Sequence, residues 1–142
     1  MHRSFSLRVS VIIPVYNAAH FVADAVDSAL AQSETGQVLI VEDGSTDDSL
    51  KVCRKLAGRH ARVTLLRHAK GRNRGVAASR NLGISSAECE YIAFLDADDV
   101  YLPGRFRAAR TILPIDRSID GVYDAIGMIH ADAEVSAWYR DQ

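Results

Sequence analysis

The amino-acid sequence predicts an α/β domain in which a mostly parallel sheet is flanked by helices, and three observations carry that expectation. Apolar runs of strand length, Val9–Val15, Gln37-Val38-Leu39-Ile40-Val41, Val63-Thr64-Leu65-Leu66 and Tyr91-Ile92-Ala93-Phe94-Leu95, alternate with segments whose apolar residues recur at helical spacing. Such alternation implies parallel strands joined by right-handed crossovers. The runs show little polar alternation, and the Tyr91 run in particular reads as a strand buried on both faces. Finally, two of the runs end in acid, at Glu42-Asp43 and at Asp96-Ala97-Asp98-Asp99, and ligands of parallel sheets bind outside the carboxyl ends of the strands.

Size and charge narrow the class further. At 142 residues, 48% hydrophobic and 25% charged, the chain reads as a single domain over 1–142. A chain of this size buries about 68–70% of its unfolded surface and needs no disulfide or metal staple. A net charge of -1 leaves no global field to draw it onto nucleic acid or an anionic membrane. No stretch approaches the ~18 apolar residues of a membrane span. The start, Met1-His2-Arg3-Ser4-Phe5-Ser6-Leu7-Arg8, lacks the apolar core of a secretion signal, so a cytoplasmic protein is expected. Cys53 and Cys89 form no Cys-x-x-Cys pair and read as small buried side chains, and the histidines stand at no ligand spacing.

Taken in order, Val9–Val15 is the first strand, and Pro14, lacking an amide, should end its pairing. Tyr16 and Asn17 follow, with Asn17 suited to cap a helix whose apolar stripe is Phe21, Val22, Ala25, Val26, Ala29 and Leu30. After the second strand, Gly44 frees a turn and Ser45 is placed to cap the next helix with Asp48 three residues on. Those roles explain Ser45, Asp47 and Asp48 but leave Asp43 without a structural task. The second helix turns Leu50, Cys53, Leu56 and Ala57 inward and is expected to end at Gly58. A third strand leads into the basic stretch Arg67-His68-Ala69-Lys70-Gly71-Arg72-Asn73-Arg74-Gly75, most simply a solvated loop. Val76 to Gly83 reads as a short helix of small residues from which Arg80 either grips a phosphate or pairs with a strand-end carboxylate.

The acidic end of the fourth run allows two readings. On an extended backbone Asp96 and Asp98 share a face while Asp99 points away. Two carboxylates so close repel each other unless a cation lies between them, and a hard divalent ion accepts one or two carboxylates together with phosphate oxygens. The alternative is a solvated acidic turn before a helix begun by Pro103, running through Phe106, Ala109, Ile112 and Leu113 and stopped by Pro114. Gly121-Val122-Tyr123-Asp124-Ala125-Ile126-Gly127-Met128-Ile129 is predicted as a further strand. There is no Gly-x-Gly-x-x-Gly after the first strand and no P-loop motif, which removes the main grounds for a dinucleotide-binding domain or a P-loop NTPase.

Four stretches, Val9-Ser10-Val11-Ile12-Ile13-Pro14-Val15-Tyr16-Asn17, Glu42-Asp43-Gly44-Ser45-Thr46-Asp47, the run from Asn73 to Gly83, and Phe94-Leu95-Asp96-Ala97-Asp98-Asp99, resemble in order and spacing the family 2 glycosyltransferases of GT-A fold, most strongly over 9–106. The resemblance implies a nucleotide-sugar donor, often a UDP-sugar, a Mg²⁺ or Mn²⁺ ion, and inverting transfer to an acceptor hydroxyl on a glycan, lipid or protein. It implies that Pro14, Val15 and Tyr16 line the base pocket, that Asp43 accepts from the ring N–H of the base, and that Asp96, Ala97 and Asp98 meet ribose, metal and diphosphate, with Asp96 and Asp98 as metal ligands. Either Arg74 or Arg80 would meet phosphate. Glu42 stands where the family usually has Asp, and Ser79 where it usually has Ala. The general base is expected beyond Gln142, in an acceptor-binding half, so the chain resembles a donor-binding half truncated before it. The alternative is a nucleotide-sugar-binding module without turnover of its own. Uncovered apolar surface on that side makes homo-oligomers an expectation.

Overall fold

The structure, a computed structural model, describes residues 6–116 and 118–123. Strands β1 (Val9–Val15), β2 (Thr35–Glu42), β3 (Val63–Arg67) and β4 (Tyr91–Phe94) form a parallel sheet in the order β3-β2-β1-β4. Helices α1 (Val22–Leu30) and α2 (Ser49–Arg59) follow β1 and β2, α3 (Val76–Ser86) precedes β4, and α4 (Arg107–Ile112) lies near the end of the described chain.

The period-two facing of β1 divides the core into two layers. Val9, Val11, Ile13 and Val15 face α1 and α2 and meet Val22, Val26, Ala29, Cys53 and Leu56, all buried. Ile12 faces the other way, with Leu39 and Val41, toward Leu82 of α3. Each fully buried Val, Leu or Ile contributes about 1.5–3 kcal/mol, so the larger layer under α1 and α2 dominates stability. On the α3 side the fit is tight at Gly83, where a Cβ would run into Ile12 Cγ2.

Several expectations change. Among the described residues β4 is an edge strand, and it is not buried on both faces: Ile92 is 40% and Phe94 44% exposed, because α3 packs over β1 and β2. Pro14 does not end the pairing of β1 with β2, which continues through Pro14↔Val41 and Val15↔Glu42. Leu95 N donates to Ile12 O and Asp43 N to Val15 O, so Ile12 faces β4 and Val15 faces β2. Alternate residues of a strand face alternate neighbours, and Pro14 therefore turns its missing amide toward β4, whose pairing stops at Ile12↔Phe94.

Asn17 is not a helix cap. Its φ is 51°, and α1 begins five residues later, at Val22, with Phe21 at its N-cap position and no side-chain cap. Ser45 does not cap α2 either. That helix starts at Ser49, whose amide donates to Asp47 Oδ1, and it runs past Gly58 to Arg59. Residues 103–106 form turns ahead of α4, so Pro103 does not open the helix itself. Gly121, Val122 and Tyr123 have no regular structure, and the remainder of the strand expected through Ile129 lies outside the described residues. Among the described residues no helix is long and apolar enough to cross a membrane.

Candidate functional site

The chain winds from β1 outward to β2 and β3, then returns past β1 to β4. The reversal between β1 and β4 opens a crevice at their carboxyl ends, the position where parallel α/β sheets hold ligands. A cleft of about 520 Å³ lies there. Pro14, Val15 and Tyr16 reach it from β1, Asp43 from β2, Arg80 from α3, and Asp96, Ala97 and Asp98 from the turn after β4. The carboxylates from separate strands thus share one rim. Arg74 does not line the cleft; its backbone amide, and not its guanidinium, reaches this region.

Loops after β1, β2 and β3 build the rim, and each is fastened to another. Asn17 N donates to Ser45 Oγ (3.0 Å), Thr46 N to Asn17 Oδ1 (2.8 Å), and Ala18 N to Ser49 Oγ (2.8 Å). The left-handed backbone at Asn17, tolerated by its short amide side chain, makes this exchange possible and leaves the Tyr16 ring 51% exposed above the cleft. Gly44, with φ 73°, lies so close to the loop after β3 that a Cβ there would stand 2.7 Å from Asn73 N and 2.8 Å from Gly71 O. Only glycine meets both conditions.

The acids at the end of β2 have separate tasks. Glu42 is fully buried and accepts from Arg67 Nε (2.7 Å) and Ser45 N (2.6 Å). Burial pushes its carboxyl upward, but the Ser45 amide and the Arg67 guanidinium outweigh burial and hold it below its ordinary value. Asp43, 3% exposed, accepts from Arg74 N at Oδ1 (2.7 Å) and from Gly75 N at Oδ2 (2.8 Å). A carboxylate has about four acceptor positions, so capacity is left toward the cleft. Asp43 therefore has a structural task after all: it gathers the chain entering α3.

At the opposite end of the cleft Arg80 Nη2 donates to Asp96 Oδ1 (2.8 Å), the guanidinium lies 5.5 Å from the Phe94 ring centroid, and its buried Nε has no hydrogen-bond partner. The strand-end pairing foreseen for Arg80 is realised. Asp96 and Asp98 sit on a turn, closed by Asp99 N donating to Asp96 O, and not on extended chain. Both are exposed. Burial, then the charges of Asp98 and Asp96, push the Asp99 carboxyl upward. Among the described residues no group of three or more His, Cys, Asp or Glu is arranged to hold a metal, so a cation here would have at most the carboxylates of Asp96 and Asp98 and would need ligand oxygens and water to complete its shell.

Sequence reasoning missed Asn17, Phe21, Asn73, Val76 and Ser79, which also line the cleft. A signal was available for Ser79, one residue before Arg80 on a helix of small side chains, and for Asn73, in the segment leading into that helix.

The class defined by these features is an α/β protein with a doubly wound parallel sheet and, at its switch point, a cleft rimmed by an aromatic ring, carboxylates from two strand ends and a guanidinium. The chain belongs to glycosyl transferase family 2, whose model matches residues 10–137. It is 44% identical over 97 residues to the succinoglycan biosynthesis protein ExoU of Rhizobium meliloti, covering 68% of this chain and 28% of that protein. It is also 35% identical over 130 residues to the chondroitin synthase of Pasteurella multocida, covering 91% of this chain and 13% of that one. Among solved structures, S. aureus TarS 1-349 in complex with UDP-GlcNAc superposes with a TM-score of 0.65 at 26% identity, over 75% of this chain and 31% of TarS 1-349. The mannosyltransferase PcManGT of Pyrobaculum calidifontis, in complex with GDP-Man and Mn²⁺, gives 0.64 at 28% identity, over 77% and 32% of the two chains. The fold is that of the GT-A glycosyltransferases, and the chain spans less than a third of the relatives and structures named here.

Proposed function

We propose that this chain binds a nucleotide diphosphate-sugar, a UDP-sugar, in the switch-point cleft and so serves inverting transfer of the sugar to an acceptor hydroxyl. The observation that carries this reading is the meeting of Asp43, Asp96, Asp98 and Tyr16 on one cleft from three strand ends. Tyr16 offers a ring face to the base, Pro14 and Val15 wall the pocket, and the spare acceptor capacity of Asp43 suits a ring N–H. Asp96, Ala97 and Asp98 stand toward the ribose and diphosphate. Of the two arginines implied by resemblance, Arg80 is the one whose side chain reaches this cleft.

The donor set fits a hard divalent ion. Asp98 has no hydrogen-bond or ion-pair partner among the described residues, Asp96 shares one oxygen with Arg80, and both raise the Asp99 carboxyl by repulsion. Asp98 and Asp96 would hold Mg²⁺ or Mn²⁺, which when bound supplies Lewis-acid stabilisation of the departing nucleoside diphosphate. The residues themselves bind and orient: Arg80 keeps Asp96 turned to the cleft and holds positive charge beside the diphosphate.

Titration of UDP by calorimetry, with and without Mn²⁺, tests this. Mn²⁺ should tighten binding, and Asp98→Ala should remove that increment, a loss of about tenfold or more, roughly 1.4 kcal/mol. Binding that ignores both Mn²⁺ and the substitution would overturn the metal assignment. A second reading, a binding module without turnover, is favoured by one observation: neither Asp116 nor Asp120, the described carboxylates beyond the acidic turn, lines the cleft. Sugar transfer by the purified 142-residue chain would eliminate it.

A further inference from the structure

We propose that His68 is a positioning residue that sets the Asp43 carboxylate and the entry to α3, although its own side chain does not line the cleft. The proposal rests on the donor-site reading of Asp43. His68 follows β3, and its side chain is 15% exposed. Its Nε2 lies 3.1 Å from Ser79 Oγ and 3.6 Å from Asp43 Oδ1. Both of those residues do line the cleft, and they are 0% and 3% exposed.

The arrangement is a clamp and not a proton relay. In a Ser-His-Asp relay the two ring nitrogens serve two different partners, whereas here one nitrogen faces both. What the cluster accomplishes is mechanical. The groups gathered on the Asp43 carboxylate all come from the segment after β3: Arg74 N at 2.7 Å, Gly75 N at 2.8 Å and the His68 ring. The two amides fix the carboxylate from the backbone. His68 is the side chain among them, and by holding Ser79 with the same nitrogen it ties the first turns of α3 to the end of β2. With the ring beside Oδ1 and the amides in place, the carboxylate cannot swing, and its remaining acceptor position stays toward the cleft. Removing the ring unties Ser79 from the end of β2 and loosens the chain entering α3, whose Arg74 and Gly75 amides hold the Asp43 carboxylate, so the base-binding end of the cleft loses rigidity.

Gln and Leu at position 68 separate this role from simple packing. The Gln amide nitrogen reaches about as far as Nε2 and can donate a hydrogen bond, whereas Leu fills space without donating. Amide hydrogen exchange on the ligand-free chain is the first measurement. In His68→Leu the Arg74 and Gly75 amides should exchange about tenfold faster, as expected for loss of roughly 1.4 kcal/mol of local protection, and His68→Gln should keep them near wild type. UDP titration is the second. His68→Leu should bind about threefold to tenfold more weakly, the scale of the neutral hydrogen bond to Ser79 that it loses, with the gain from Mn²⁺ unchanged, and His68→Gln should restore binding. Equal behaviour of Leu and wild type in the exchange measurement, or equal losses in Leu and Gln, would overturn the proposal. If wild type binds no UDP, the donor-site reading fails, and the exchange measurement alone decides whether His68 positions Asp43.

Discussion

Glu42 and Asp43 are neighbours at the end of one strand, yet only Asp43 turns to the cleft, because successive side chains of a strand face opposite ways. Glu42 instead joins β2 to β3 through Arg67 and holds the turn at Ser45. Its folded value lies below the ordinary 4.5, so its contribution to stability is present at neutral pH and is lost as pH falls through the folded value. Glu42→Gln should cost about 1–3 kcal/mol at pH 7, the scale of a buried bond to a charged group. In thermal unfolding followed across pH, the gap between the two proteins should close in acid below 4.5; a gap that persists there would show that shape, not charge, carries the effect.

Among the elements, α3 packs tightly on β1 at Gly83. Gly83→Ala adds a methyl against Ile12. The gain in helix propensity, about 1 kcal/mol, opposes an overpacking cost of about 1–3 kcal/mol, and overpacking wins because Ile12 is fully buried and has nowhere to move. Urea unfolding should show a net loss, relieved in the double variant with Ile12→Val. The strands and helices were legible because apolar runs and helical stripes are properties of local sequence. Layer and edge were not. Tyr91-Ile92-Ala93-Phe94 looks as apolar as Ile12-Ile13, and only the placement of α3 over β1 and β2 decides that Ile92 and Phe94 stay exposed. Asn17 and Ser45 were read as helix caps because such residues bond their own following backbone. In the fold each found a partner in the other's loop, 28 residues away. Tyr16, Asp43, Arg80, Asp96 and Asp98 were reachable from sequence since each follows a strand or projects from the small-residue helix. Ser79 and Asn73 carried a weaker signal, their nearness in sequence to Arg80 and its helix, and their position on the cleft depends on how the loop after β3 folds around Gly44.

At the scale of the molecule, β4 has no further strand beside it among the described residues, and apolar Ile92 and Phe94 lie along it. Such an edge invites pairing with another chain. The 142-residue chain is expected to self-associate at high concentration, and Ile92→Lys, which places a charge on that edge, should return it to monomer in sedimentation velocity; a wild-type monomer throughout would remove this expectation. The rim of the cleft behaves differently. Its three loops are distant in sequence, but Asn17, Ser45 and Gly44 interlock them, and Asp43 clasps the chain entering α3. A guest arriving at such a frame finds it already assembled, so little freedom is surrendered on docking. Damage at one fastening, conversely, travels to loops that share no stretch of chain with it.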